Sequence, residues 1–331
     1  MPSVTFSDVE AAEKRIASYI KQTPILDSQL LNHWLGHTII FKAECLQKTG
    51  AFKLRGALNM MLKAKEEGRL QNKVVAVSSG NHAQAVAYAA KILGVQATIY
   101  SAKNVSKVKA AATQYYGATL DLSETRKEAD EKAAEAAKHE DVLFVPPFNH
   151  NDVMAGQGTV VLEAFKQAEN IDAVFAPVGG GGLVSGSAIS ARALCKDVKV
   201  MGVEPLAGND AAQSIRTGTI QSLAQQPNTL ADGAATLQVG DKTFPHLQQL
   251  DALYEVNETD IAYWTQWLQH LLKIHVEPTS AMSMAAVVAW LKQQTSKQQV
   301  MVILSGGNID HHKMQQIWHT DHLQNPPSLD I

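Results

Sequence analysis

Four consecutive glycines, Gly179, Gly180, Gly181 and Gly182, follow the apolar run AVFAPV at 173 to 178 and precede a helical stretch that starts at Leu183. A strand that stops on bare glycines and restarts as a helix leaves backbone N–H groups and a helix N-terminus open to an anion. It also commits the chain to an α/β architecture, because a strand apolar throughout must be covered on both faces. The rest of the chain repeats the theme. VVAV at 74 to 77, a helical pattern from Asn81 to Leu93 and ATIY at 97 to 100 are followed by a helix near 104 to 116, a strand near 118 to 122, a helix near 125 to 138 and VLFV at 142 to 145. A second series has a helix near 157 to 169, the strand at 173 to 178, a helix after Leu183, VKVMGV at 198 to 203, two late helices and VMVIL at 300 to 304.

This alternation predicts two mostly parallel sheets. TIIFKAECL at 38 to 46 reads as a strand ahead of both series that joins the second sheet. Residues 73 to 150 then form a small domain inserted into a large one built from 1 to 72 and 151 to 331. At the N-terminus, Ser7 and Glu10 have the spacing of a capping box, ahead of a helix ending near Ile20.

Composition narrows the partners. A formal charge of −3 leaves no basic footprint for nucleic acid or an anionic membrane. No run approaches the ~18 apolar residues of a membrane span, and no charged leader precedes an apolar stretch. A soluble, cytoplasmic protein that handles small molecules is expected. Cys45 and Cys195 form no C-x-x-C pair, which fits a reducing compartment and buried thiols.

Besides the glycine run, three segments carry polar groups in positions suited to a ligand. SSGNHAQA at 78 to 85 follows the strand VVAV and places small hydroxyls and Asn81 at a helix start, where they can meet a carboxylate or cap the helix. SGGN at 305 to 308 follows the last strand, and taken alone it is a turn with a cap. Lys53 stands in KTGAFKLRGA. A lysine beside glycines is ordinarily a solvated surface group, and what distinguishes this one is its company. A cofactor with a phosphate, an aldehyde and a ring nitrogen needs a lysine, an anion cradle and polar groups for its ring. A nicotinamide site competes, since Gly180, Gly182 and Ser185 approximate G-x-G-x-x-G/A and Glu204 follows about 20 residues on, the expected place of a ribose-binding acid.

Taken together, these segments resemble the fold-type-II pyridoxal-phosphate (PLP) enzymes, tryptophan synthase β-like, and within them the serine/threonine dehydratase and serine racemase family. FKLRG is similar to that family's cofactor-lysine motif and SSGNH to its substrate-carboxylate loop. AGQGT at 155 to 159 is similar to its helix after the small domain, GGGG to its phosphate cradle and SGGN to its pyridine-nitrogen site. The resemblance implies two open, twisted, mostly parallel sheets with helices on both faces. It implies that Lys53 carries PLP as a Schiff base next to Phe52, that Asn81 meets the ring oxygen, and that Ser305 faces the pyridine nitrogen. The four glycines and Leu183 would hold the phosphate. Ser78, Ser79, Asn81 and His82 would bind the substrate carboxylate, with Arg126 reaching a second carboxylate in hydroxyaspartate-type substrates.

A hydroxyl at the ring nitrogen, unlike an aspartate, favours loss of a β-leaving group over a long-lived carbanion. The implied activity is therefore an ammonia-lyase that converts L-serine to pyruvate and L-threonine to 2-oxobutanoate. Ser79 resembles the racemase hydroxyl that acts on the face opposite lysine, which keeps serine racemisation open, as Arg126 keeps hydroxyaspartate. VEPLAGND at 203 to 210 resembles a divalent-cation loop, implying Mg²⁺ or Ca²⁺ on Glu204, Asp210 and the carbonyl of Gly208, and it removes the ribose role from Glu204. A homodimer is implied as well. Phe148 departs from the polar residue of some racemases, and SAKNVSKVKA lacks the usual prolines. With the chain ending soon after its last helix, no C-terminal regulatory domain is expected. His311, His312, His319 and His322 read as solvated side chains rather than a metal cluster. A non-catalytic amino-acid sensor would leave Lys53 without a role.

Overall fold

The computed structural model describes residues 4–103 and 105–329. Its strands are β1 (Ile25–Asp27), β2 (Thr38–Lys42), β3 (Lys73–Val77), β4 (Gln96–Ala102), β5 (Thr119–Ser123), β6 (Val142–Phe144), β7 (Ala173–Pro177), β8 (Lys199–Pro205), β9 (Ala252–Val256) and β10 (Gln299–Ile303). They form one sheet in the order β1-β2-β10-β7-β8-β9 and another in the order β5-β4-β3-β6. Every pairing is parallel except β1 with β2. Two mostly parallel α/β sheets are what the alternating sequence predicted.

The alternation of side chains across each strand builds the core on both faces of the larger sheet. Phe175, Met201, Val203, Val300 and Val302 point to one face, where Trp264, Trp267, Met284 and Val287 cover them. Val174, Ala176, Val200, Met301 and Ile303 point to the other, under Val160, Val184 and Ala188. In the smaller sheet Val74, Ala76 and Ile99 pack against Leu54, Leu58 and Met61, so the helix that begins at Lys53 is buried on that sheet. Val77 faces the opposite side with Ala129 and Ala133.

Local departures have physical causes. The first helix spans Phe6–Ile16 and is capped by Thr5 and Asp8 rather than Ser7 and Glu10. Both pairs share one spacing, but Thr5 has the extended backbone a cap requires, and the flanking Val4 and Val9 are both buried. AGQGT lies in the middle of the helix Asn151–Phe165, which His150 caps, so the helix starts before the predicted position. Its glycines are packing positions: a Cβ on Gly156 would fall 2.6 Å from the Cα of Gly56 in the lysine helix. Cys45 is buried, whereas Cys195 is partly exposed at the end of a helix, contrary to the expectation of two buried thiols.

Candidate active site

The ends of β3, β7 and β10 and the start of the lysine helix open on one cavity of about 360 Å³. Lys53 is the first residue of its helix, and its N-cap, Phe52, supplies no side-chain cap. The turn is instead tied to the exit of β10: Phe52 N donates to Ser305 O at 2.9 Å, and Ala51 bridges Gly306. Lys53 Nζ donates to Pro147 O at 2.7 Å. The side chain opens on the cavity, yet the protein packed around its amine lowers the pKa to about 8, with the charge of Glu277 resisting. At pH 7 about a tenth of such an amine is free base, far more than for an ordinary lysine.

The helix Asn81–Leu93 starts without a side-chain cap and without an acid in its first turn, leaving its N–H groups to an anion. Ser78 and Ser79 line the cavity beside that end, the Ser79 side chain being exposed. The amide of Asn81 is fixed in orientation: Nδ2 donates to both oxygens of Glu277 at 3.0 and 3.1 Å, and Oδ1 accepts from Asn308 Nδ2 at 2.9 Å. The His82 ring pairs Nε2 with Val145 O at 2.8 Å. Burial first, and then Lys53, lower its pKa to about 3, so the ring is neutral and braces β6. Any contact of His82 with a carboxylate is left to its backbone N–H.

On the opposite wall, the glycine run begins the helix Gly182–Leu194, again with no acid in its first turn. Gly181 has φ +90°, and a Cβ there would lie 2.9 Å from Thr243 Oγ1. A Cβ on Gly180 would fall 2.3 Å from the ring of Phe148. Bare backbone is therefore required, and with two uncapped helix ends facing one cavity the lining suits a phosphorylated cofactor and a carboxylate substrate. Ser305 is buried, its hydroxyl 3.0 Å from that of Ser280. Phe52, Leu183 and Arg126 are the remaining sequence candidates on the wall, although Arg126 Nε also bonds exposed Asp130 at 3.0 Å.

Over residues 16–306 the chain matches the family described as pyridoxal-phosphate dependent enzyme. The chain belongs to this family. It is 41% identical to an L-threo-3-hydroxyaspartate ammonia-lyase of Saccharomyces cerevisiae, over 92% of this chain and 94% of that one. To a serine racemase of Schizosaccharomyces pombe it is 40% identical, over 92% and 94% of the two chains. The crystal structure of a threonine deaminase from T.th. matches with TM-score 0.87 and 41% identity, covering 93% of this chain and 99% of that one. PLP is the cofactor of the family, whose lyase and racemase members stand among these relatives.

The sequence reading missed three groups of this PLP-enzyme cavity: Glu277, Lys109 and Asp232. Glu277 precedes Pro278 at the start of a short helix, a position that reads as a cap, but its carboxylate makes no capping bond and turns to Asn81. Its burial raises the pKa to about 7, with Lys109 holding it down. Lys109 and Asp232 carry no local signal in sequence.

Glu204, Gly208 and Asp210 lie at the end of β8, outside the cavity lining. Both oxygens of Glu204 accept from the helix that follows, from Ala211 N at 3.2 Å and Ala212 N at 2.7 Å, so it is turned away from any ribose. Oδ2 of Asp210 is buried without a hydrogen bond of good geometry, although Thr236 and Val239 face the carboxyl. Burial raises Glu204 to about 8 and Asp210 to about 7. The described residues hold no group of three or more His, Cys, Asp or Glu side chains placed to share an ion, the four C-terminal histidines included.

Proposed function

We propose that the chain is a PLP-dependent ammonia-lyase of L-serine and L-threonine, giving pyruvate or 2-oxobutanoate and ammonia, with serine racemisation at the same site. The observation that carries this is the presence of the Lys53 amine and the exposed Ser79 hydroxyl on one cavity, between an uncapped helix end and a bare glycine cradle. Bound PLP supplies an electron-withdrawing ring and an electrophilic carbonyl. The glycine run and the helix behind it hold the phosphate, while Ser78, Ser79 and the Asn81 helix end hold the substrate carboxylate. An amine with a pKa of about 8 can take a proton from Cα and return it near neutrality. Ser79 is the donor from the other face. Asn81, whose amide is held by Glu277 and Asn308, would meet the ring oxygen, and the hydroxyl of Ser305 would bind the ring nitrogen without imposing a charge on it.

Relatives that carry ammonia-lyase and serine racemase names support the pairing of the two reactions. A second reading, hydroxyaspartate ammonia-lyase, rests on Arg126 in the wall and on the 41% identity to the yeast enzyme. Incubation with L-serine, D-serine, L-threonine and L-threo-3-hydroxyaspartate, scored for oxo acids and enantiomers, decides between them. Oxo acid from L-serine and L-threonine is expected; release from hydroxyaspartate alone would favour the second reading, and no turnover of any would sink both. The reading extends to a cytoplasmic homodimer with an inserted unit over 73 to 150. It also includes Mg²⁺ or Ca²⁺ held by Glu204, Asp210 and the Gly208 carbonyl, which the unpartnered Asp210 oxygen fits. No helix of the described residues is long and apolar enough to cross a membrane.

A further inference from the structure

Lys109 joins Lys53 and Arg126 as a cation on the cavity wall, and the reaction as argued gives it no task. It projects from the helix Lys107–Tyr115, beside the smaller sheet, and its Nζ bonds Asp232 Oδ2 at 2.7 Å. Asp232 opens the short turn Asp232–Ala234 on the other side of the cavity. That turn rests on the glycine cradle: a Cβ on Gly179 would lie 3.2 Å from Ala234 Cα and 3.3 Å from Gly233 O. It is pinned by Gly233 N donating to Thr279 Oγ1 at 3.0 Å. On its other flank, Lys109 Nζ lies 4.0 Å from the point where a Cβ on Gly80 would stand, against the Ser78–Asn81 loop. One ammonium thus spans the loop proposed for the substrate carboxylate and the turn that backs the proposed phosphate site.

The partners are unequal. The Lys109 side chain is 9% exposed and that of Asp232 39% exposed, so the cation is the desolvated member and needs its counter-ion more. Burial pulls the ammonium pKa down, but Asp232 and then Glu277 pull it up further, and it stays charged through neutrality.

We infer that Lys109 and Asp232 are a positioning pair that fixes the distance between the Ser78–Asn81 loop and the glycine cradle, and thereby controls substrate binding more than bond breaking. The inference rests on the proposed function for which loop takes which anion. A loop free to drift from the cradle weakens binding of every amino acid alike, because all share the carboxylate, whereas a residue that touches a particular side chain discriminates among them.

The test compares Lys109→Met, Asp232→Asn, the conservative Lys109→Arg and the charge-swapped Lys109→Asp/Asp232→Lys in the holoenzyme. Each of the first two should raise KM for L-serine and L-threonine together by about tenfold, with kcat within about threefold of the parent. Lys109→Arg and the swapped protein should return near the parent value. Amide exchange at 78 to 85 and 229 to 236 should quicken in the two broken variants and slow again in the swapped one. A rise in KM for Lys109→Met with Asp232→Asn unchanged would overturn the pair and make Lys109 a direct substrate ligand. Unchanged exchange in both broken variants would also overturn it. Exchange is read without turnover, so a parent protein inactive on every amino acid would defeat the functional reading while the pair was still being judged.

Discussion

Two lysines, Lys42 at the end of β2 and Lys53 at the start of the buried helix, lie in the protein interior, both with pKa values pulled down first by burial. Lys42 has spent its three protons, on Thr23 O at 2.7 Å, Glu163 Oε1 at 2.5 Å and Gln167 Oε1 at 2.8 Å. Beside it Arg55 forks onto Glu44 at 2.8 Å and reaches Glu163 at 3.0 Å, so two cations balance two carboxylates. Lys53 has one hydrogen-bond partner among the described residues, the carbonyl of Pro147, and opens on a cavity. Burial therefore does not separate a structural lysine from a reactive one. Unspent donors and an open cavity do.

The sharpest way to break this comparison is to remove each lysine in turn. Lys53→Ala should lower turnover by about 10⁴-fold while shifting unfolding free energy by less than about 1 kcal/mol, because a lone buried amine is lost with little packing. Lys42→Met should show the opposite pattern. With Glu163 losing a partner in a dry cluster, stability should fall by about 3–5 kcal/mol in urea unfolding, while the cofactor absorbance of the folded fraction stays as in the parent. Loss of the absorbance in both variants would mean that the two regions are not separable.

Ser79→Ala extends the contrast to a hydroxyl with free valence. Racemisation of L-serine should fall by about 100-fold, with elimination within about threefold, since Lys53 alone can remove the proton of the L-substrate. Equal losses in one preparation would show that Ser79 mainly holds the carboxylate.

The smallest expected effect lies at Glu204 and Asp210, two buried acids of which the first is raised by burial and by the charge of the second. Their folded pKa values, about 8 and about 7, lie above the ordinary carboxylate range, so the folded chain holds protons that the unfolded chain releases. Their shared contribution to stability is accordingly fully present in acid and is lost as the pH rises toward 8. A divalent ion bound to the ionised pair offsets that decline. In chelator the melting temperature should drop from pH 5.5 to pH 8, and millimolar Mg²⁺ should raise it by a few degrees at pH 8 and hardly at pH 5.5. A melting point at pH 8 that responds to neither chelator nor Mg²⁺ would discard the ion site.

What sequence revealed follows from locality. The strand ends at 77, 177 and 303 were legible because apolar runs stop abruptly on Ser78, Gly179 and Ser305, and those same stops bring SSGN, the glycine run and SGGN to one cavity. Glu277, Lys109 and Asp232 stayed hidden because their roles come from partners distant in sequence. Taken locally, Glu277 is a helix cap, Lys109 a helix-surface cation and Asp232 a turn residue. The N-terminal cap was misplaced for the converse reason: two pairs with equal spacing sit two residues apart, and burial of Val4 and Val9 selects the first. The helix that carries AGQGT was expected from about 157 and begins at Asn151, because the motif's glycines admit a neighbouring helix rather than mark a start.

The central claim, that Lys53 and not its buried neighbour is the reactive amine, is tested most directly by borohydride reduction of the PLP-loaded protein followed by peptide mapping. The account predicts a single pyridoxyl adduct on Lys53; an adduct on Lys42, Lys109 or any other lysine, or none at all, would contradict it.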